Sequence, residues 1–395
     1  MKKILIISHH YPPEIGAASN RLKQITTHLL SQGYKVFVVT SKPNYPNPVM
    51  YRHFRDDANE ENLRIFRTPI ITGVQSDKLS RIINQLLFLF FSFFFSIWIL
   101  FKHSIGGFVT TSPPFIINLN GLLIKSLTRR KWVMEVRDLW PDSILAVGKL
   151  TDSSSLFRIL KKFELLFYKK ADRIIVVTHS TKNLLMKQNV DGNKIEIVTN
   201  GIPSWIQYQP SKTPKKDNQE VNICYIGNLG LSQNLKVILD VANNLKQYKH
   251  VKFFFVGEGL AKKSLIQYKE QLNLDNVEFV DGIINKEGLS EWYTKTDIGI
   301  ISLQDSPLFK TVIPSKLFEY AAFNTPILFI GEGEAANLIQ TYNLGFSVSS
   351  DIPSITDQIN EMLSKKDHYR INQDFIENYS WNHLIKKYLD AITFS

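Results

Sequence analysis

The chain holds one cysteine, Cys224, in 395 residues. No internal disulfide can form, and a reducing compartment fits. Cys224 lies in the apolar run VNICYIG and is expected to be a buried core thiol. The sequence has no Cys/His spacing suited to zinc and no aromatic-rich RNA-binding signature, so neither a metal nor a nucleic-acid partner is expected. A GxGxxG fingerprint is also missing, and no period marks a solenoid. In MKKILIISHHYPPE the apolar run stops at His9 after five residues, short of the roughly 7–15 of a secretory leader. It reads as a buried first strand, and the start of the chain is expected on the cytoplasmic side.

Acidic residues are scarce in the first half. Residues 1–200 carry 28 Lys+Arg against 14 Asp+Glu, and the remainder 19 against 22, within a net charge of +11. One basic half points to an anionic partner for that half. Without a nucleic-acid signature, anionic lipid is the stronger candidate.

A chain of 395 residues exceeds one ordinary core, so two domains are expected. KILIIS, KVFVVT, LRIFRTP, GGFVTTSPP, KWVMEVRD, DRIIVVT and IEIVTNG read as strands, several of them apolar on both faces as in a covered parallel sheet. Helical patterns lie between them, as at 18–32 and 153–170. The alternation restarts after residue 220 with VNICYIG, VKFFFVGEG, VEFVDG, DIGIISL and TPILFIG. The expected fold is α/β, with two Rossmann-like doubly wound domains in tandem. The boundaries are 1–203, a Pro- and Lys-rich linker 204–220, 221–375, and an amphipathic C-terminal helix within 376–395. The cleft between such domains is the default ligand site.

Residues 82–101 hold sixteen apolar side chains and four polar ones, Asn84, Gln85, Ser92 and Ser96. This matches a membrane span in length and composition. A span would put the strands before and after it on opposite sides of a bilayer, where they could not share a sheet. At helical spacing Lys78, Arg81, Gln85, Ser92, Ser96 and His103 fall in one narrow arc, and the rest is apolar. A helix covering a sheet needs an apolar stripe of only about 100°, so a second apolar contact is implied. Monotopic insertion into the inner leaflet of the cytoplasmic membrane is expected. The residues would be Arg81, Phe90, Phe93, Phe94 and Trp98, with Arg129 and Arg130 adding attraction to anionic lipid. A plainly buried helix is the alternative.

Several turns suit a phosphate. Gly16 sits at a strand-to-helix turn, where free N–H groups and close approach favour an anion; a tight βα turn needs no more than that. Gly227 and Gly230, with Asn228 between them, follow one strand, and Gly257 and Gly259, flanking Glu258, follow the next. Pro314 and Ser315 can open a helix that carries Lys316, Leu317 and Glu319. Lys316 and Glu319 share a face: a lysine suits a diphosphate, and a carboxylate one turn on suits a ribose diol. The plain alternative is an exposed ion pair. His9, His10, Glu14 and Asp138 are further polar candidates, each with a structural alternative.

The order of the N-terminal glycine loop, TNGI, YIGNLG, VGEG and PSKLFEYAA resembles the family 4 glycosyltransferases of GT-B fold over almost the whole chain. HHYPPEIGAASNR, SPP at 112–114, VRDLWPDS and PSKLFEY resemble a narrower bacterial group that includes N-acetyl-L-fucosamine transferases of O-antigen and capsule assembly. The resemblance implies retaining, metal-independent transfer from a nucleotide sugar, usually UDP-linked, to a lipid-carried or cytoplasmic acceptor, with no cofactor; the apolar helix and basic first half favour a polyprenyl-diphosphate-linked sugar as that acceptor. It implies that the base rests on backbone near Ile283 and Ile284, that Glu319 holds the ribose, and that the C-terminal helix around Trp381 crosses back to brace the first domain. The family's first motif glutamate falls at Thr311, its usual Arg and Lys near Asn228 and Gln233, and its His-Asp pair at Arg137–Asp138. The phosphate role therefore moves to Lys316 and backbone N–H groups, with Arg137 a further candidate, and Asp138 is the polar group aimed at the acceptor or donor sugar. A nucleotide-sugar epimerase of the same fold and a non-catalytic peripheral binding protein are the alternative functions.

Overall fold

The computed structural model describes residues 1–14, 16–44, 51, 54, 60–71, 78–146, 151, 153–206, 220–282, 286–364 and 373–393. Most of the expected linker lies outside this set. The chain divides into two compact units, Met1–Thr199 with Trp381–Ser395, and Asn200–Ser380.

The first unit is built on seven strands: β1 (Lys3–Ser8), β2 (Lys35–Ser41), β3 (Leu63–Thr68), β4 (Gly107–Ser112), β5 (Lys131–Val136), β6 (Arg173–Val176) and β7 (Ile195–Ile197). Its helices are α1 (Ala17–Ser31), α2 (Lys78–Lys102), α3 (Ile117–Thr128), α4 (Asp142–Ala146), α5 (Ser155–Lys170) and α6 (His179–Lys187). The sheet order is β3-β2-β1-β4-β5-β6-β7, all parallel. Such strands need long crossovers and covered faces, which explains their near-continuous apolar runs. The order reverses between β1 and β4, the position where doubly wound sheets bind ligands.

Side chains alternate across the sheet. Ile4, Ile6, Val36 and Val38 meet α1 on one face. The last helix of the chain, Trp381–Ile392, joins them there: Trp381, Leu384, Ile385 and Tyr388 are buried in the same cluster. The crossing-back helix is thus present. On the other face α2 packs against β1, β2 and β3, α3 lies beside α2 over β4 and β5, and α5 lies beside α3.

The second unit has strands β8 (Val221–Ile226), β9 (Val251–Val256), β10 (Val277–Val280), β11 (Ile298–Ser302), β12 (Ile327–Ile330) and β13 (Gly345–Val348). They are parallel in the order β10-β9-β8-β11-β12-β13, and the switch point lies between β8 and β11. The helices are α7 (Lys236–Asn244), α8 (Lys262–Gln271), α9 (Lys286–Lys295), α10 (Lys316–Ala322), α11 (Glu334–Thr341), α12 (Ile352–Ser364) and α13 (Gln373–Asn378); the chain's last helix is α14 (Trp381–Ile392). Cys224 is buried in β8.

The α2 helix is long and apolar enough to cross a membrane, yet it lies on the sheet between strands that precede and follow it. Three of its polar residues face inward, while Lys102 is exposed. Asn84, Ser92 and Ser96 are buried with Phe88, Ile99 and Leu100. Asn120 of α3 donates to Ser92 Oγ at 2.7 Å and to the Leu89 carbonyl at 2.9 Å, and the Ile71 N–H donates to Asn84 Oδ1 at 2.8 Å. Ile82, Leu86, Phe90, Phe94, Trp98 and Phe101 are exposed, and Phe93 is half-buried. The side chain of Arg81 is not among those described.

Candidate functional site

In the second unit the switch point is occupied by backbone turns and one lysine. Gly227 follows β8 with φ 141°, a left-handed value that favours glycine. A Cβ there would lie 2.9 Å from Lys316 Nζ. Gly257 follows β9 with φ 150°, and its Cβ would fall 2.0 Å from the Gly227 carbonyl oxygen; a Cβ on Gly259 would meet the Leu229 carbonyl at 2.3 Å. The two loops are stacked backbone on backbone: Leu229 N donates to Glu258 O and Ala261 N to Leu229 O. Close packing of the loops therefore accounts for Gly257 and Gly259. Only Gly227 opens onto the lysine.

The Lys316 ammonium sits 3.6 Å from the centroid of the Tyr225 ring, a cation–π contact. Among the described residues it has no hydrogen-bond or ion-pair partner. Desolvation lowers its pKa to about 7, against the opposing pull of the Glu319 carboxylate. Part of the side chain stays accessible, so the site desolvates the ammonium without closing it off.

Glu319 lies one turn on. Its pKa is raised by desolvation and held back by the Tyr293 hydroxyl and by Lys316; Tyr293 donates to Glu319 Oε2 in a short contact. The next residue fixes the helix in place. The Tyr320 hydroxyl donates to the Cys224 carbonyl at 2.7 Å and accepts from Ile226 N at 3.0 Å, and Gly299 leaves room for its ring, since a Cβ there would lie 2.5 Å from it. Tyr320 thereby ties α10 to the end of β8, just below Gly227.

One expectation changes here. The α10 helix has seven residues, and the positive charge at its start is the Lys316 ammonium. Leu317 is fully buried in the core of the unit, which withholds its side chain from a ligand. Ser315 is the N-cap without a side-chain capping bond, and the Pro314 carbonyl accepts from Leu317 N. Asn228 is exposed. Glu258 pairs with Lys262 at 2.7 Å and accepts from Gly282 N at 3.2 Å. Ile283 and Ile284 lie outside the described residues. Thr311 Oγ1 donates to the Leu308 carbonyl at 2.7 Å, a local turn bond. Beside it a recess at the ends of β11–β13 is lined by Asp305, Lys310 and Glu332 among others, with Lys310 paired to Glu332 at 2.7 Å and Asp305 at 3.5 Å.

In the first unit the ends of β1, β4 and β5 carry the candidates. His9 is buried with a pKa lowered to about 3 by desolvation and then by His10, so its ring is neutral. His10 Nδ1 meets Glu14 at 2.7 Å, and Glu14 also accepts from Asn44 N at 2.7 Å. Gly16 caps α1 with φ 166°, extended backbone open to any residue. Arg137 donates from Nε to the Ser112 carbonyl and from Nη2 to that of Pro113, both at 3.2 Å; it braces the SPP turn, whose two X–Pro bonds are cis. Asp138 is exposed just past the end of β5, next to Arg137. Arg129 is exposed and Arg130 half-buried at the end of α3.

Sequence reasoning missed Tyr225, Tyr293 and Tyr320. Tyr225 stands inside the quoted YIGNLG run and was open to notice. Tyr293 has no local signal, because it reaches Glu319 from another helix.

Comparison with known proteins covers both units. Residues 18–204 match the family described as Glycosyltransferase Family 4, and residues 208–379 match Glycosyl transferases group 1. The chain is 21% identical over 360 residues, 86% of each chain, to the putative colanic acid biosynthesis glycosyl transferase WcaI of Escherichia coli. Among solved structures it resembles sucrose-phosphate synthase of Thermosynechococcus elongatus, with TM-score 0.74, 15% identity and coverage of 99% and 98% of the two chains. It also resembles a structure described as trehalose-6-phosphate from E. coli bound with UDP-2-fluoro glucose, with TM-score 0.71, 10% identity and full coverage of both chains. At such identities the structural likeness shows the fold. With one glycosyltransferase family matched by each half, the chain belongs to the group 1/family 4 glycosyltransferases of GT-B fold.

Proposed function

We propose that this glycosyltransferase moves an N-acetylated (deoxy)hexosamine from a UDP-sugar to a polyprenyl-diphosphate-linked sugar in bacterial surface polysaccharide assembly, at the cytoplasmic face of the membrane. The observation that carries the donor reading is Lys316: an ammonium at the switch point, part-accessible and without an anionic hydrogen-bond partner among the described residues. A nucleoside diphosphate supplies the missing negative charge. Charge builds on the leaving diphosphate in the transition state, and a fixed cation there stabilises it. Glu319, held by Tyr293, offers a carboxylate to two ribose hydroxyls. UDP as the nucleotide is supported by the neighbour bound with UDP-2-fluoro glucose. Polysaccharide assembly is supported by the relative named for colanic acid biosynthesis. Retention and independence of metal rest on the family resemblance. Asp138 is the group proposed to meet a sugar hydroxyl, with Arg137 setting its turn. The exposed aromatic ridge of α2 supports a place beside a lipid-borne acceptor.

The test is a panel of nucleotide sugars incubated with membrane lipid extract and read for new glycolipid. One UDP-sugar is expected to give product, with UDP release only when acceptor is present. UDP release or sugar interconversion without acceptor overturns the transfer reading.

A further inference from the structure

We infer that the first unit seats on an anionic bilayer through the whole outer face of the α2/α3/α5 layer rather than through α2 alone. This rests on the membrane-side reading above and deepens it by defining the surface and its lipid.

The exposed residues of α2 recur every fourth position, Ile82, Leu86, Phe90, Phe94 and Trp98, with Phe101 closing the ridge. One ridge is narrow. However, α3 packs against α2, and α5 against α3, and both carry apolar side chains on their outer faces as well: Leu123 and Leu127 on α3, then Leu156, Ile159 and Phe163 on α5. The α5 stripe leans toward α3, since Phe163 touches Phe167, whose ring lies 5.3 Å from Phe115 just before α3. Three neighbouring helices thus turn apolar side chains outward. Large contiguous patches of this kind mark an interaction surface.

Charge selects the occupant. The sequences of α2, α3 and α5 contain a single acidic residue, Glu164, and it is buried. Lys102, Arg129, Arg158, Lys162, Lys169 and Lys170, on these helices or at their ends, are exposed. Lys102 lies over the Trp98 ring at 4.4 Å, an apolar body with a charged tip that suits a headgroup boundary. A second copy meeting this face would set like charges against each other, which disfavours association. A bilayer containing anionic lipid offers hydrocarbon to the ridges and phosphate to the cations at once. Because α2 rests on β1, β2 and β3, the layer lies along the membrane surface and does not cross it.

The experiment is co-sedimentation of the full chain with vesicles of phosphatidylcholine mixed with phosphatidylglycerol. Ile159→Ser with Phe163→Ser removes apolar area on α5 and leaves α2 intact; Phe90→Ser with Phe94→Ser does the converse. Each pair is expected to weaken partitioning about tenfold or more, and Lys162→Gln with Lys169→Gln to weaken it by several-fold. UDP affinity unchanged from wild type reports a folded chain. Vesicles of phosphatidylcholine alone should bind less. If the α5 pair binds like wild type while the α2 pair does not, the three-helix surface is wrong and docking by α2 alone stands. If both pairs bind like wild type, both ideas fall. A stable dimer in solution, dissociated by the α5 pair, makes the occupant a second copy and overturns the inference.

Discussion

Arg21 and Glu135 form a buried ion pair in which Nε and Nη2 both donate to one carboxylate oxygen, at 3.0 and 2.9 Å. The same guanidinium donates to the carbonyls of Val198 and Thr199 and lies 5.5 Å from the Trp381 ring centroid. One side chain of α1 therefore joins β5, the end of the first stretch of the unit, and the returning α14. Removing one partner of a buried pair strands the other. Arg21→Ala is expected to cost about 3–5 kcal/mol, read by denaturant unfolding of the first unit. Replacing both partners with apolar residues should cost much less.

The lowered pKa of Lys316, about 7, fixes a pH dependence with a definite sign. An anionic donor binds the protonated form, so UDP affinity is expected to be flat below pH 7 and to fall toward tenfold per pH unit above it. Calorimetry across pH would show proton uptake on binding. Lys316→Arg stays charged and should flatten the slope; a slope unchanged in that variant removes Lys316 from the phosphate site.

Stability runs the other way at this residue. Between about pH 7 and the unperturbed 10.5 the unfolded chain binds more protons than the folded one, so this contribution to stability rises with pH through that window. Below pH 7 the full desolvation penalty remains. Lys316→Met is expected to lose UDP binding while raising the Tm at pH 6, by about 2–4 °C for each kcal/mol relieved. A lower Tm would mean that the ammonium has a structural partner.

Tyr293 is a positioning residue for Glu319. Glu319→Ala should weaken UDP binding by roughly 10–100-fold, the range for lost hydrogen bonds to a charged group. Tyr293→Phe should weaken it less, about fivefold, with the fold intact. Both effects should vanish for a uridine diphosphate lacking the ribose hydroxyls. A Tyr293→Phe effect that persists with that analogue assigns the tyrosine to packing alone.

The paired glycines separate binding from folding. Gly257→Ala drives a methyl into the Gly227 carbonyl, backbone that cannot yield, and should lower stability by about 1–3 kcal/mol. Gly227→Ala meets only the movable end of Lys316, but its φ of 141° still strains a side chain, so it should lower stability by about 1 kcal/mol and lower UDP affinity as well. UDP affinity unchanged in Gly227→Ala would mean that Gly227 serves loop packing only.

The strands were legible where both faces are covered, because KILIIS or VNICYIG leaves no polar face to confuse the pattern. The edge strand β13 was not, since Gly345–Val348 is short and only half-buried. Lys316 and Glu319 were visible as neighbours at helical spacing. Tyr293 was not, because its contact with Glu319 spans 26 positions and is decided by how α9 packs. The rotation of α2 was half legible. Its excess of apolar surface could be counted, but the inward turn of Ser92 depends on Asn120 in a different helix.

That inward turn bears on the order of synthesis. When residues 78–102 leave the ribosome, neither β4 nor Asn120 has yet emerged, and the serines have nothing to meet. For that interval the nascent segment presents itself as a candidate for insertion, and Asn84, Ser92 and Ser96 are the groups that lower its affinity for the bilayer core. The side chains that later become the inner seam of a water-side domain are the same ones that argue, before the domain exists, against threading it through the membrane.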